Sequence, residues 1–132
     1  MPPAPHDPAV ARRILVAEDE PHIRRILATL LQGADFEVDM ASDGREAMAR
    51  LESATEYHLV VTDLMMPHLS GLEVLEAMAA LSHRTDLPVV MLTAKGQDAD
   101  REKALALGAR DFLTKPFSPK KLLARIDELL GL

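Results

Sequence analysis

"LVVTDLMMPHLSGLEVL", residues 59–75, carries an apolar run directly into a single carboxylate. Leu59, Val60 and Val61 read as a buried strand, and Asp63 stands at its end. A charge placed there costs stability unless something compensates it. Two methionines, a proline and a Ser-Gly step follow. Ser70 and Glu73 then have the spacing of a capping box, which opens a helix carrying Val74, Leu75, Met78 and Leu81.

The same strand-then-helix grammar extends in both directions. "RILVA" (13–17) predicts a strand, followed by "PHIRRILATLLQG" with Ile23, Ile26, Leu27, Leu30 and Leu31 at helical spacing. Pro21 suits the first turn and Gly33 the stop. "FEVDMA" (36–41) alternates as a strand with one more exposed face. Asp43 and Glu46 then form a capping pair for a helix through Leu51. "YHLVVTD" is the third strand and "LPVVMLTA" the fourth, with Pro88 at its beginning, where a ladder tolerates it. "DADREKALALG" is a short polar helix ended by Gly108, its Asp98–Lys103 charges a solvated face. "RDFLT" is the fifth strand, and "SPKKLLARIDELL" the last helix. There Ser118 caps, Pro119 sits first, and Leu122, Leu123, Ile126, Leu129 and Leu130 form the apolar stripe.

Strands alternating with helices predict an α/β fold: a doubly wound, five-stranded parallel sheet with helices on both faces. Composition agrees. The chain has 132 residues, suited to one domain, and is 48% hydrophobic. A chain of this length buries roughly two-thirds of its unfolded surface. The net charge of −6 suits a soluble cytoplasmic protein and argues against a surface built for nucleic acid or anionic membrane. With no cysteine, disulfides and thiolate metal sites are excluded. No apolar stretch reaches the roughly 20 residues needed to span a membrane. Residues 1–11 contain four prolines and read as a Pro-rich tail before a domain over 12–132. His6, His22, His58, His68 and His83 are scattered without ligand spacing and read as surface residues.

In a doubly wound sheet, ligands bind beyond the carboxyl ends of the strands. Those ends carry Glu18, Asp19 and Glu20 after strand one, Asp63 after strand three, Thr93 at strand four, and Thr114-Lys115-Pro116 at strand five. Two carboxylates about 4 Å apart repel by roughly 4 kcal/mol at an effective dielectric near 20. Three together would raise their pKa values or demand a cation, and Mg²⁺ suits one or two carboxylates plus phosphate oxygens. Lys115 adds a point charge that binds phosphate, and Thr93 offers a hydroxyl donor. The set makes sense as a pocket in which Asp63 attacks a phosphoryl group and carries it as an acyl phosphate. The bland alternatives are a helix-capping acid pair at Glu18-Asp19, a loop acid at Asp63, a satisfied strand threonine at Thr93 and a solvated lysine at Lys115. Met65 and Met66 read as core gap-fillers.

Taken together, "LVAEDE", "VTDLMMPHLSGLEVL", "PVVMLTA" and "GARDFLTKPF" resemble the receiver domain of bacterial two-component response regulators, over about residues 12–130. The resemblance implies a flavodoxin-like sheet of order 2-1-3-4-5 with five helices. It implies Asp63 as acceptor of a phosphoryl group from a sensor histidine kinase or phosphotransfer protein. It implies Mg²⁺ held by Asp19, Asp63 and the backbone carbonyl of Met65, with Glu18 acting through water. Thr93 and Phe112 match the family's switch pair, with Phe112 turning inward after Thr93 moves toward the phosphoryl group. Lys115-Pro116 matches a lysine before a cis proline. The chain departs from the family at Glu18, where an aspartate is usual, and at Phe112, where a tyrosine is common. Met65 and Lys95 stand where the family tunes its own hydrolysis. Met65 has no group to position water, which implies a long-lived phosphoryl group.

The output expected is a switched face of helix four, strand five and helix five. It would bind a downstream protein or form a homodimer. The "GARDFLTKPFSPKKLLARI" stretch resembles receivers fused to winged-helix DNA-binding domains, which implies a symmetric dimer through this face with Asp111 and Arg125 as candidates for intersubunit ion pairs; the bland alternative is that both are exposed charges. The chain stops at Leu132, directly after the last helix. It reads either as a single-domain regulator, with no direct nucleic-acid or membrane binding and at most self-phosphorylation and self-dephosphorylation, or as a receiver from a longer DNA-binding regulator. A further alternative is a Mg²⁺-dependent phosphatase with an aspartyl nucleophile, resembling haloacid-dehalogenase-like enzymes. Met65 stands where those enzymes carry a second acid.

Overall fold

The computed structural model describes residues 11–94 and 98–132. Most of the expected Pro-rich tail, with His6, and also Lys95 and the side chain of Asp98 lie outside the described residues.

Five strands form one parallel sheet: β1 (Arg13–Ala17), β2 (Glu37–Ala41), β3 (Leu59–Asp63), β4 (Val89–Thr93) and β5 (Asp111–Thr114), in the order β2-β1-β3-β4-β5. The helices are α1 (Pro21–Gly33), α2 (Gly44–Glu52), α3 (Gly71–Met78), α4 (Asp98–Ala106) and α5 (Pro119–Leu130). Side chains alternate across each strand, so the sheet feeds two cores. Ile14, Val16, Leu59, Val61, Val90 and Leu92 face α1 and α5, where Leu27, Leu31, Leu122 and Ile126 cover them. Leu15, Ala17, Val60, Val89 and Met91 face α2, α3 and α4, joining Ala47, Leu51, Val74, Met78 and Ala104. Burial on both faces explains why β3 and β4 are apolar without alternation. Among the described residues no helix is long and apolar enough to cross a membrane.

The helix starts follow their side-chain caps. Ser70 and Glu73 form the reciprocal capping box of α3, at 3.1 and 3.0 Å. Ser118 accepts from the Lys121 amide and Pro119 opens α5. Asp43 accepts from the Glu46 amide at 2.7 Å, but Glu46 returns to the amide and hydroxyl of Ser42, not to Asp43. Glu20 caps α1 by accepting from the His22 and Ile23 amides.

Several expectations are corrected. Ile26 has the spacing of the α1 stripe but is 38% exposed. It lies about 100° round the helix from Leu27, off the buried line through Leu27 and Leu31. Leu81 falls beyond α3, which ends at Met78, and leads into a 3₁₀ turn over Ser82–Arg84. His58 is half-buried, not a surface residue: its Nδ1 accepts from the Arg13 amide at 3.0 Å. Arg84 is buried because its guanidinium donates to the carbonyls of Leu51, Ser53 and Thr55 at the end of α2, satisfying groups that a helix terminus leaves open.

The start of α3 fixes the end of β3. The Gly71 amide donates to the Leu64 carbonyl at 2.8 Å. A Cβ at Gly71 would stand 2.3 Å from the Asp63 carbonyl oxygen and 2.8 Å from the Met91 sulfur. Gly71→Ala is therefore expected to cost about 1–3 kcal/mol in denaturant unfolding, as overpacking does. Gly33→Ala, with nothing within 4 Å of its new Cβ, should stabilise by up to about 1 kcal/mol. Equal effects at the two positions would refute this account of the Gly71 contact.

Candidate functional site

The strand order sets β1, β3, β4 and β5 side by side, and their carboxyl ends make one rim. β1 ends at Ala17, so Glu18 and Asp19 begin the loop to α1. Glu18 is held by its amide, which donates to the Ala41 carbonyl at 3.0 Å. Its side chain is buried at 1% exposure, whereas Asp19 is exposed. Asp63 closes β3 opposite Leu92 and is 7% exposed. Carboxylate oxygens of Glu18, Asp19 and Asp63 lie within 4.8 Å of one another.

Lys115 comes from the end of β5. Its ammonium donates to Asp63 Oδ2 at 3.0 Å and to Glu18 Oε1, joining positions 97 residues apart. Its amide donates to the Thr93 carbonyl at 2.6 Å, which ties β4 and β5 together at the rim. The peptide bond between Lys115 and Pro116 is cis. The Thr93 hydroxyl is buried and has no hydrogen-bond partner among the described residues. A buried donor without a partner is uncommon and costs about 1–3 kcal/mol. Lys115 is thus paired with two acids, not a solvated charge, and Asp63 is a buried strand-end acid held by that lysine.

The charges perturb one another. Burial, then the hydrogen bond and charge of Asp63, push the Glu18 carboxyl up to about 7, against the opposing pull of Lys115. Burial pulls the Lys115 ammonium down, but the hydrogen bonds and charges of Glu18 and Asp63 outweigh it and hold it above its ordinary value. One ammonium thus serves two buried acids, and a third acid stands beside them.

The remaining sequence-named residues are placed less uniformly. Met65 is 63% exposed in the loop after Asp63, so it is not a core gap-filler; Met66 is partly buried against the core. Phe112 is buried, 8% exposed, in the core cluster with Met91, Ala104 and Ala109. A phenyl ring has no polar tip to reward an outward position, so burial decides its placement. Asp111 and Arg125 meet each other within one chain at 2.9 Å, and Arg125 also reaches Glu128 at 3.0 Å. Sequence reasoning missed Arg24, whose guanidinium donates to the carbonyls of Glu18 and Asp19. Its helical spacing from the acidic run was the available signal.

The Glu18 shift has a definite sign in solution. Its folded value of about 7 exceeds the ordinary 4.5, so the folded chain binds the extra proton between those limits. Stability of the metal-free protein should therefore fall as pH rises from about 4.5 to about 7, by on the order of 3 kcal/mol. Glu18→Gln should flatten that slope in thermal melts across the window. An unchanged slope would mean that Glu18 is not the group responsible.

A family model described as response regulator receiver domain matches residues 14–127. The chain is 48% identical over 119 residues to a probable transcriptional regulator, ycf27, of Cyanophora paradoxa, covering 90% of this chain and 48% of that one. It is 41% identical over 121 residues to the phosphate regulon transcriptional regulatory protein PhoB of Escherichia coli, covering 92% and 52%. The chain thus spans about half the length of these curated relatives. Among solved structures, the chemotaxis response regulator CheY4 of Vibrio cholerae superposes with a TM-score of 0.84 at 31% identity, covering 91% of this chain and 99% of that one. The receiver domain of a sensor histidine kinase from Pseudomonas aeruginosa, solved with a magnesium ion in its active site cleft, gives 0.84 at 27% identity, covering 93% and 100%. With its sheet order and its rim of acids already in place, the chain belongs to the receiver domains of two-component response regulators.

Proposed function

We propose that Asp63 accepts a phosphoryl group from a histidine kinase or phosphotransfer protein. The observation that carries this reading is the Lys115 ammonium bridging Asp63 and Glu18, with the Asp19 carboxylate beside them. In the transfer, the donor's P–N bond breaks and a bond forms from phosphorus to an Asp63 carboxylate oxygen. Lys115 is placed to offset charge on the transferred oxygens, and the unpartnered Thr93 hydroxyl is available to donate to one of them. Three carboxylates with one shared ammonium fit a divalent cation: hard oxygen donors, clustered and under-neutralised. Asp19, Asp63 and the Met65 carbonyl would hold Mg²⁺, with Glu18 joining through water. The ion would supply charge neutralisation and orient the incoming group.

The phosphoryl group adds nearly two negative charges at the rim. Thr93 and Lys115 are the groups able to respond, and both sit where β4 and β5 join. As Thr93 moves toward the phosphoryl group it vacates space, which the inward Phe112 ring fills. The output runs through the face of α4, β5 and α5. There Asp111 and Arg125 are paired within the chain and would exchange partners on forming a homodimer. The names of the relatives favour an output in transcriptional control. Met65 presents no group able to position an attacking water, so the phosphoryl group is long-lived.

Incubation with a small acyl phosphate and Mg²⁺ should add one phosphoryl group to the chain by mass spectrometry. Asp63→Asn should lose the label, and Lys115→Ala should slow its appearance by about a hundredfold. Equal labelling of Asp63→Asn would remove the assignment. With a phosphoryl mimic bound, sizing chromatography should show a shift from monomer to dimer that Arg125→Ala weakens. An unshifted profile would leave the α4-β5-α5 dimer without support.

A further inference from the structure

Three consecutive acids, Glu18, Asp19 and Glu20, share the loop from β1 to α1, yet they have separate tasks. Glu20 turns away to cap α1, Glu18 meets Lys115, and Asp19 stands exposed beside the cluster. Consecutive side chains diverge by default, so the orientations of the intervening peptide groups decide whether two of them converge. Those peptides are held from two sides. The Glu18 amide donates to Ala41 in β2 at 3.0 Å. On the other side, one guanidinium nitrogen of Arg24 donates to the Glu18 carbonyl at 2.8 Å and to the Asp19 carbonyl at 3.0 Å. Arg24 is itself anchored, because its amide donates to the Glu20 carbonyl at 3.0 Å in the first turn of α1. Among the described residues its side chain makes no ion pair; it is committed to these two carbonyls although Glu18, Asp19 and Glu20 stand in the same loop.

We propose that Arg24 is a positioning residue for this site. Its planar guanidinium fixes two peptide carbonyls, and through them the directions in which Glu18 and Asp19 present their carboxylates to a divalent cation. The inference rests on the reading that these acids hold Mg²⁺. Charge alone gives the opposite expectation, since a guanidinium near the cluster repels a divalent cation and its removal would tighten binding. Lysine keeps the charge but loses the guanidinium plane that fixes the directions of the two N–H bonds on that nitrogen, and its ammonium sits at a different reach. Groups that orient metal ligands in this way typically change metal affinity about tenfold or more when lost.

The test is calorimetric titration of MgCl₂ into the full chain, with amide hydrogen exchange of residues 18–20 measured on the metal-free protein. Arg24→Lys and Arg24→Gln should each bind Mg²⁺ about tenfold more weakly, and both should exchange faster at residues 18–20. Arg25→Gln, an exposed neighbour, should match the unaltered chain. Arg24 variants with unchanged or tighter Mg²⁺ binding and unchanged exchange would overturn the proposal while leaving the metal reading intact. Melting of the whole fold in both variants would also overturn it, by making Arg24 a stability residue. Failure of the unaltered chain to bind Mg²⁺ would remove the metal reading, and this inference with it.

Discussion

The structure depends on an electrostatic conflict that the fold creates and then only partly resolves. Parallel strands ending together bring Glu18, Asp19 and Asp63 to within a few ångströms, where like charges repel strongly because the site is half out of water. Lys115 answers two of the three. The residue of the conflict is visible in Glu18, whose carboxyl holds its proton above the usual range. Beside it, among the described residues, the buried Thr93 hydroxyl has no partner. Both features sit at the one rim where the strands end together, and both cost stability.

The rest of the molecule serves to hold that rim still. Both faces of the sheet are covered, so the strands cannot slide without exposing Ile14, Val61 or Val90 on one side and Leu15, Val60 or Met91 on the other. Gly71 lets α3 press against the Asp63 carbonyl, and the same economy of space recurs at Gly44, where a Cβ would lie 2.1 Å from the Leu69 carbonyl oxygen. The loop after Asp63 is therefore fixed by backbone contact at both its neighbours. Arg84 performs a comparable task at the opposite end of the sheet, closing the end of α2.

Much of this was legible in the order of residues. Apolar runs ending in Ala17, Asp63 and Thr93 gave strand positions, and Ser70, Asp43 and Ser118 gave helix starts, because capping chemistry is local. The acids, the lysine and the threonine could be grouped before any coordinates, since strand order alone decides which ends are neighbours. Less was legible where a residue's fate depends on its surroundings. Ile26 has the right character for a buried stripe but lies on its margin. Arg84 looks like a surface charge, yet three carbonyls draw it inside. Phe112 shares the core cluster of Met91 and Ala104, packing that its place in β5 does not announce.

The sequence by itself determined the repeating strand-helix order, the sheet it implies and the identity of the residues at its rim, because periodicity and capping act over a few residues. The tertiary structure alone decided how those residues share charge. Lys115 reaches both Asp63 and Glu18, Thr93 finds no partner among the described residues, and Asp111 takes Arg125 of its own chain. Each of these depends on side chains brought together from distant positions, where distance, burial and competing donors are fixed only once the sheet is closed and packed.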